Sequence, residues 1–138
     1  MSKGYEFIDF AVKGDHYGSL VALEGNKEIP FEIKRVYYIY DTAPDAVRGK
    51  HAHIALEQVI ICLAGSCDFI LDNGVTKETI HLDKPNQGLY LRECIWREFT
   101  NFSPDCKIIV LASLPYDEND YIRNYDAFLE RITNGLYS

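Results

Sequence analysis

The feature that most limits the fold of this chain is a succession of short apolar runs cut off by turn residues. SLVALE (19–24), EIKRVYYIYD (32–41), EQVIICLAG (57–65), SCDFILDN (66–73), KETIHLD (77–83), QGLYLRE (87–93), REFTNFS (97–103) and CKIIVLAS (106–113) are rich in β-branched and aromatic residues. Between them stand Gly25-Asn26, Ala64-Gly65-Ser66, Asp72-Asn73-Gly74, Pro85-Asn86 and Ser103-Pro104-Asp105. Strands this short and this closely spaced build a sandwich or barrel, so the chain reads as all-β. Asn73-Gly74 is the strongest hairpin signal, because both residues tolerate the positive φ that a tight turn needs. Only the end of the chain breaks the pattern. In DENDYIRNYDAFLERITNG, Tyr121, Tyr125, Phe128, Leu129 and Ile132 recur at helical spacing, with Asp117 to Asp120 as an acidic start and Gly135 as a stop. The expectation is a single domain over residues 1–138, with strands over about 5–115 and a helical segment over about 117–135.

Composition narrows the possible partners. The formal net charge of −7 argues against nucleic acid, whose binding needs a basic face. An anionic small ligand would need a local basic pocket. No run approaches the roughly 20 apolar residues of a membrane span. MSKGYEFIDFAVKGD at the start has acidic residues where a signal peptide carries its apolar region, and a cytoplasmic protein is expected. Cys62, Cys67, Cys94 and Cys106 form no CxxC pair and read as buried, reduced thiols.

The stretch RGKHAHIALEQVIICLAG (48–65) holds the chemistry. In a strand, His51 and His53 share one face, so both point into a barrel if the strand lines one. They could bind a metal, pack, or move protons. The spacing His51, His53, Gln58, Gly65 resembles the first motif of the cupin superfamily, and Arg92, Cys94, Arg97, Asn101 follow the frame of the second. That resemblance implies a β-roll, the double-stranded β-helix or jelly roll. A metal cupin presents three histidines and a glutamate. Here Gln58 removes the anionic ligand, and Arg97 offers no lone pair and stays cationic. No metal is therefore expected. Polar neighbours at Arg35, Tyr37, Gln58 and Arg97 favour a ligand site over a packed core, and a histidine that moves protons.

A narrower resemblance covers almost the whole chain. DHYGSLVALE (15–24), IPFEIKRVYYIYDT (29–42), RGKHAH (48–53), EQVIICLAGSC (57–67), GLYL (88–91) and YDENDYIRNYDAF (116–128) resemble the nucleotide-sugar 3,4-ketoisomerases. These cupin enzymes act on dTDP-4-keto-6-deoxyglucose and move its ketone from C4 to C3. Other enzymes then aminate and acetylate the product for surface glycans such as S-layer or O-antigen chains. The resemblance implies a homodimer with no metal or organic cofactor. It makes His51 the base, Tyr37 a proton relay or hydrogen-bond donor, and His53 a support for His51 or a sugar contact. Arg48 and Arg35 become candidates for the pyrophosphate, where a guanidinium suits phosphate oxygens. Gln58 and Trp96 border the same pocket, Trp96 as packing or as a ligand contact. Tyr38 and Tyr40 should face away from Tyr37.

Two positions depart from the family pattern. The family commonly has Arg where this chain has Tyr17, and His where it has Arg97 in Trp96-Arg97-Glu98. Members with Arg and His there resemble the type that returns the C4 proton to give the galacto product. Tyr17 with Arg97 points to the gluco product, on the route to dTDP-3-acetamido-3,6-dideoxy-D-glucose. The alternatives are the galacto epimer, a deoxysugar 3,5-epimerase whose His–Asp dyad has no evident place in this sequence, and a cupin that binds a nucleotide sugar without turning it over. A metal-dependent cupin is disfavoured by Gln58 and Arg97.

Overall fold

Apolar runs that are remote in the chain pair with one another through antiparallel ladders. The structure, a computed structural model, describes residues 4–92 and 94–136. Its strands are β1 (Tyr5–Asp9), β2 (Lys13–Asp15), β3 (Gly18–Leu20), β4 (Arg35–Ile39), β5 (Arg48–His53), β6 (Gln58–Ala64), β7 (Cys67–Asp72), β8 (Lys77–Leu82), β9 (Gln87–Leu91), β10 (Trp96–Thr100), β11 (Lys107–Ala112) and β12 (Tyr121–Ile122). A 3₁₀ turn spans Glu118–Asp120, and α1 spans Tyr125–Leu136. One five-stranded sheet has the order β1-β9-β6-β11-β4, and a second has β12-β5-β10-β7-β8. A separate hairpin pairs β2 with β3. The all-β, jelly-roll expectation with a C-terminal helix is met.

Why the run VIICLA in β6 is apolar without alternation is clear from its two neighbours. Ile60 and Cys62 face the core between the sheets, with Phe69, Leu89, Leu91, Phe99, Ile108 and Val110. Val59 and Ile61 face the other way, against Phe10, Ile29, Phe31, Tyr90 and Leu111. A strand covered on both faces needs apolar residues at every position. The third core layer lies under α1, where Phe128 packs on Ala52 and Trp96.

Several boundaries differ from the sequence expectation. Of the run 19–24, only Ser19 and Leu20 are in a strand. Val21 and Leu23 instead pack as irregular chain against the second core layer. The strand Tyr5–Asp9, which was not among the apolar runs but opens the expected span 5–115, pairs fully with β9. Glu93, the last residue of the run 87–93, lies outside the described residues. Asn73-Gly74 does join β7 to β8, through a four-residue loop closed by Asn73 N–H on the Thr76 carbonyl.

The helical segment expected over 117–135 starts later. The Asp117 side chain accepts from Asn119 N–H and caps a 3₁₀ turn. Tyr121 and Ile122 then pair with His53 and Ala52 of β5. The helix begins only after Asn124, whose side chain accepts from Ala127 N–H as an N-cap. Gly135 sits inside α1 rather than ending it. Among the described residues no helix is long and apolar enough to cross a membrane.

Candidate active site

A cavity of about 630 Å³ lies between β4 of the first sheet and β5, β10 and β12 of the second, lined by Arg35, Tyr37, Arg48, His51, Tyr121 and Arg123 among others. That size suits a small-molecule ligand. Arg35 and Arg48 on its wall, with Arg123 beside them in an ion pair with Glu118, gather positive charge here on a chain whose net charge is −7. This is the local basic pocket an anionic ligand requires.

The strand carrying the histidines is bent into place by a bulge. Arg97 pairs with His51 and Glu98 with Gly49, leaving Lys50 extra on β5. Gly49 has φ +86°, and Lys50 has φ 51°. A Cβ at Gly49 would lie 3.0 Å from the Arg97 carbonyl oxygen, so the turn before the histidines needs glycine. Beyond the bulge, His51 and His53 share the inner face as expected, their rings 4.8 Å apart and edge-on.

Hydrogen bonds define the protonation of both rings. His51 Nδ1 lies 2.9 Å from the Gly49 carbonyl oxygen, which can only accept, so Nδ1 carries the proton and Nε2 is bare. Burial, and next the Arg97 charge, hold His51 down to about 4, and the ring is neutral near pH 7. His53 Nδ1 lies 3.0 Å from the Asp120 carboxylate. That partner favours a charged ring, but burial and the Arg97 charge outweigh it and hold His53 down to about 2. The pair is therefore a neutral imidazole donating to a carboxylate. This is a His–Asp pair, which the sequence expectation could not place. His53 is 1% exposed and lies behind His51 rather than on the cavity wall.

Arg97 is buried, 1% exposed, and no carboxylate of the described residues lies within ion-pair reach of it. Its Nη1 donates to Gln58 Oε1 at 2.6 Å, and Nε and Nη2 donate to the Ile95 carbonyl. Burial pushes Arg97 down to about 10, which still leaves it a cation. Gln58 Nε2 in turn donates to the Tyr37 hydroxyl at 3.0 Å. The Tyr37 oxygen is an acceptor in that bond, so its own O–H is free to donate elsewhere. Burial pushes the Tyr37 pKa up, and the phenol keeps its proton.

The structure thus gathers His51, Tyr37, Arg48 and Arg35 on the cavity wall, and His53, Gln58 and Arg97 directly behind it. Two expected site residues fall elsewhere. Trp96 points to the opposite face of β10 from Arg97 and packs on Phe128 and Tyr125 of α1. Tyr17 is 86% exposed in the turn between β2 and β3 and does not line the cavity of its own chain. Tyr38 and Tyr40 face away from Tyr37 as expected and are exposed rather than part of the core. Tyr121, Arg123 and Tyr116 also line the cavity; Tyr121 and Arg123 lie in the segment read as helix, which the pairing of Tyr121-Ile122 with β5 turns into strand. Arg123 pairs with Glu118 at 2.6 Å and stacks over Tyr121. Arg35 stacks over Tyr37, and its Nε is buried without a partner.

The family described as FdtA, WxcM-like, C-terminal, matches residues 3–133. A TDP-4-oxo-6-deoxy-alpha-D-glucose-3,4-oxoisomerase of Aneurinibacillus thermoaerophilus is 55% identical over 125 residues, which cover 91% of this chain and 90% of the relative. The WlaRB TDP-quinovose 3,4-ketoisomerase of Campylobacter jejuni is 53% identical with a TM-score of 0.89, covering 94% of this chain and 99% of that one. A histidine mutant of the QdtA 3,4-ketoisomerase of Thermoanaerobacterium thermosaccharolyticum, in complex with TDP-4-keto-6-deoxyglucose, is 42% identical with a TM-score of 0.94 over 97% of both chains.

Proposed function

This chain belongs to the FdtA, WxcM-like family, and from that premise we propose that it is a 3,4-ketoisomerase that moves the ketone of TDP-4-keto-6-deoxyglucose from C4 to C3. The observation that carries this reading is the pairing, across one cavity, of a histidine with a bare Nε2 and a tyrosine with a free O–H. His51 Nε2 removes the proton from C3, made acidic by the adjacent carbonyl. The electron pair forms the C3–C4 double bond, and the Tyr37 O–H protonates O4. The enediol then collapses in the other sense. O3 returns its proton to the Tyr37 oxygen, the C3 carbonyl forms, and His51 delivers its proton to C4. Protons and electrons balance without an outside oxidant or reductant, and both groups end as they began. The Arg97 charge, passed through Gln58 to Tyr37, favours the negative charge that develops on the sugar oxygens.

Arg35, Arg48 and Arg123 are proposed to hold the pyrophosphate, and the unpartnered Arg35 Nε supports this. The product is proposed to have the gluco configuration at C4, which accords with the likeness to an enzyme named for TDP-quinovose. A homodimer is part of the proposal. Tyr17 on its exposed hairpin, and the exposed Val36, Tyr38 and Tyr40 of edge strand β4, would be covered by a second copy, whose cavity Tyr17 could then reach.

Proton NMR of the purified protein with TDP-4-keto-6-deoxyglucose in D₂O tests the reading. A product with its ketone at C3 and an equatorial 4-hydroxyl is expected. A ketone that stays at C4 while C3 or C5 exchanges would mean an epimerase. A sugar that keeps its ketone at C4 and exchanges no proton would mean a protein that only binds it.

A further inference from the structure

Asp120 closes the 3₁₀ turn and is buried. All its acceptor capacity is directed at the chain just beyond the histidines. Oδ1 accepts from Ala55 N–H at 2.8 Å, and Oδ2 accepts from Leu56 N–H at 3.3 Å and from His53 Nδ1 at 3.0 Å. Its main-chain carbonyl accepts from Ile54 N–H at 2.9 Å. A single residue therefore joins the end of β5 to the segment that brings Tyr121 and Arg123 into the cavity.

An ionised carboxylate has no proton to give. The contact with His53 therefore requires the proton on Nδ1, and a neutral ring then has a lone pair on Nε2. That Nε2 is buried and has no partner. The ring holding it is wedged between His51, at 4.8 Å, and Tyr121, at 4.3 Å, both of which line the cavity.

We propose that Asp120 is a positioning residue that locks His53 in its Nδ1–H tautomer, so that the wall behind His51 presents a lone pair instead of an N–H. The inference rests on the reading of His51 as the base. When His51 takes the sugar proton it becomes a cation. A neighbouring lone pair favours that cation, whereas a neighbouring N–H opposes it. The tautomer of a histidine follows from the partner of its other nitrogen, and here that partner is Asp120.

Asparagine is the informative substitution because its side chain has one acceptor end and one donor end. The carboxylate satisfies donors on both sides. Asp120→Asn that keeps the short bond from Ala55 N–H (2.8 Å) on its oxygen, in preference to the longer one from Leu56 N–H (3.3 Å), turns its NH₂ toward His53 Nδ1, which drives the proton of His53 onto Nε2. Long-range ¹H–¹⁵N NMR of ¹⁵N-histidine-labelled protein reads the tautomer directly, with no need for turnover. Wild-type His53 is expected as Nδ1–H; finding Nε2–H there overturns the proposal whatever the variant does. In Asp120→Asn the ring is expected to switch to Nε2–H, with kcat lower by about tenfold or more and KM changed by less than about twofold. A variant that keeps Nδ1–H, or that switches to Nε2–H and keeps wild-type kcat, overturns it as well. If Asp120→Asn does not fold, Asp120→Glu, which restores an acceptor on both sides, is expected to keep the wild-type tautomer; an Nε2–H ring in that variant overturns the proposal. Failure of the wild type to isomerise the sugar would sink the functional reading and still leave the tautomer measurement to judge Asp120.

Discussion

At the scale of single residues, the chemistry depends on which atoms are already engaged. His51 can act as a base because the Gly49 carbonyl holds the proton on its other nitrogen. Tyr37 can act as an acid because Gln58 donates to its oxygen and leaves the O–H free. Tyr37→Phe keeps the ring and removes that proton, and it is expected to lower kcat by about 10²- to 10⁴-fold with little change in KM. Gln58→Leu leaves the phenol in place without its orienting donor, so a smaller loss is expected. Rates of ketone transfer followed by NMR would check both, and a folded Tyr37→Phe enzyme with wild-type kcat would remove the tyrosine from the reaction. The shared face of His51 and His53 was legible in the sequence because a strand's alternation sets it, whereas Tyr37 entered through the family resemblance of KRVYYI. Asp120 was not, since it lies 67 residues from His53 and its segment resembles the start of a helix.

At the scale of elements, the segment 117–136 shows how tertiary contacts override local propensity. Its helical spacing is real from Tyr125 onward. Before that, the edge of β5 offers unpaired backbone groups, and Tyr121-Ile122 take them. The exchange moves Tyr121 and Arg123 from a helix surface into the cavity wall. α1 then docks through Phe128, which is fully buried on Ala52 and Trp96. Phe128→Ala is expected to destabilise the fold by about 3–5 kcal/mol, read as a lower urea midpoint with an unchanged slope. An unchanged midpoint would mean that the helix adds nothing to the stability of the sheets. The same docking explains Trp96, whose place beside Arg97 in sequence puts it on the opposite face of β10.

At the scale of the whole molecule, a buried neutral histidine links the fold to pH. His53 has a folded pKa lowered to about 2 by burial and the Arg97 charge, against an ordinary value near 6.5 in the unfolded chain. Below pH 6.5 the unfolded state takes up a proton that the folded state refuses. The stability from this residue is thus complete above pH 6.5 and is lost as pH falls. The loss amounts to about 2 kcal/mol between pH 6.5 and 5. His51, also lowered, adds to it in the same direction. Thermal unfolding from pH 7 to 5 should show a midpoint that falls with acid, and His53→Gln should fall less steeply. Equal slopes would mean that His53 takes up its proton in the folded state.

The sequence by itself determined the all-β class, the hairpin at Asn73-Gly74, the one face shared by His51 and His53, and the opposite facing of Tyr38 and Tyr40 to Tyr37. Each follows from a period of two residues or from the conformational preference of a turn, and neither needs distant partners. Only the tertiary structure decided that Gln58 lies between Arg97 and Tyr37, that Asp120 holds His53, and that Tyr17 lies outside the cavity of its own chain. Those are contacts between segments far apart in the chain. They depend on sheet order and register, which local patterns do not encode.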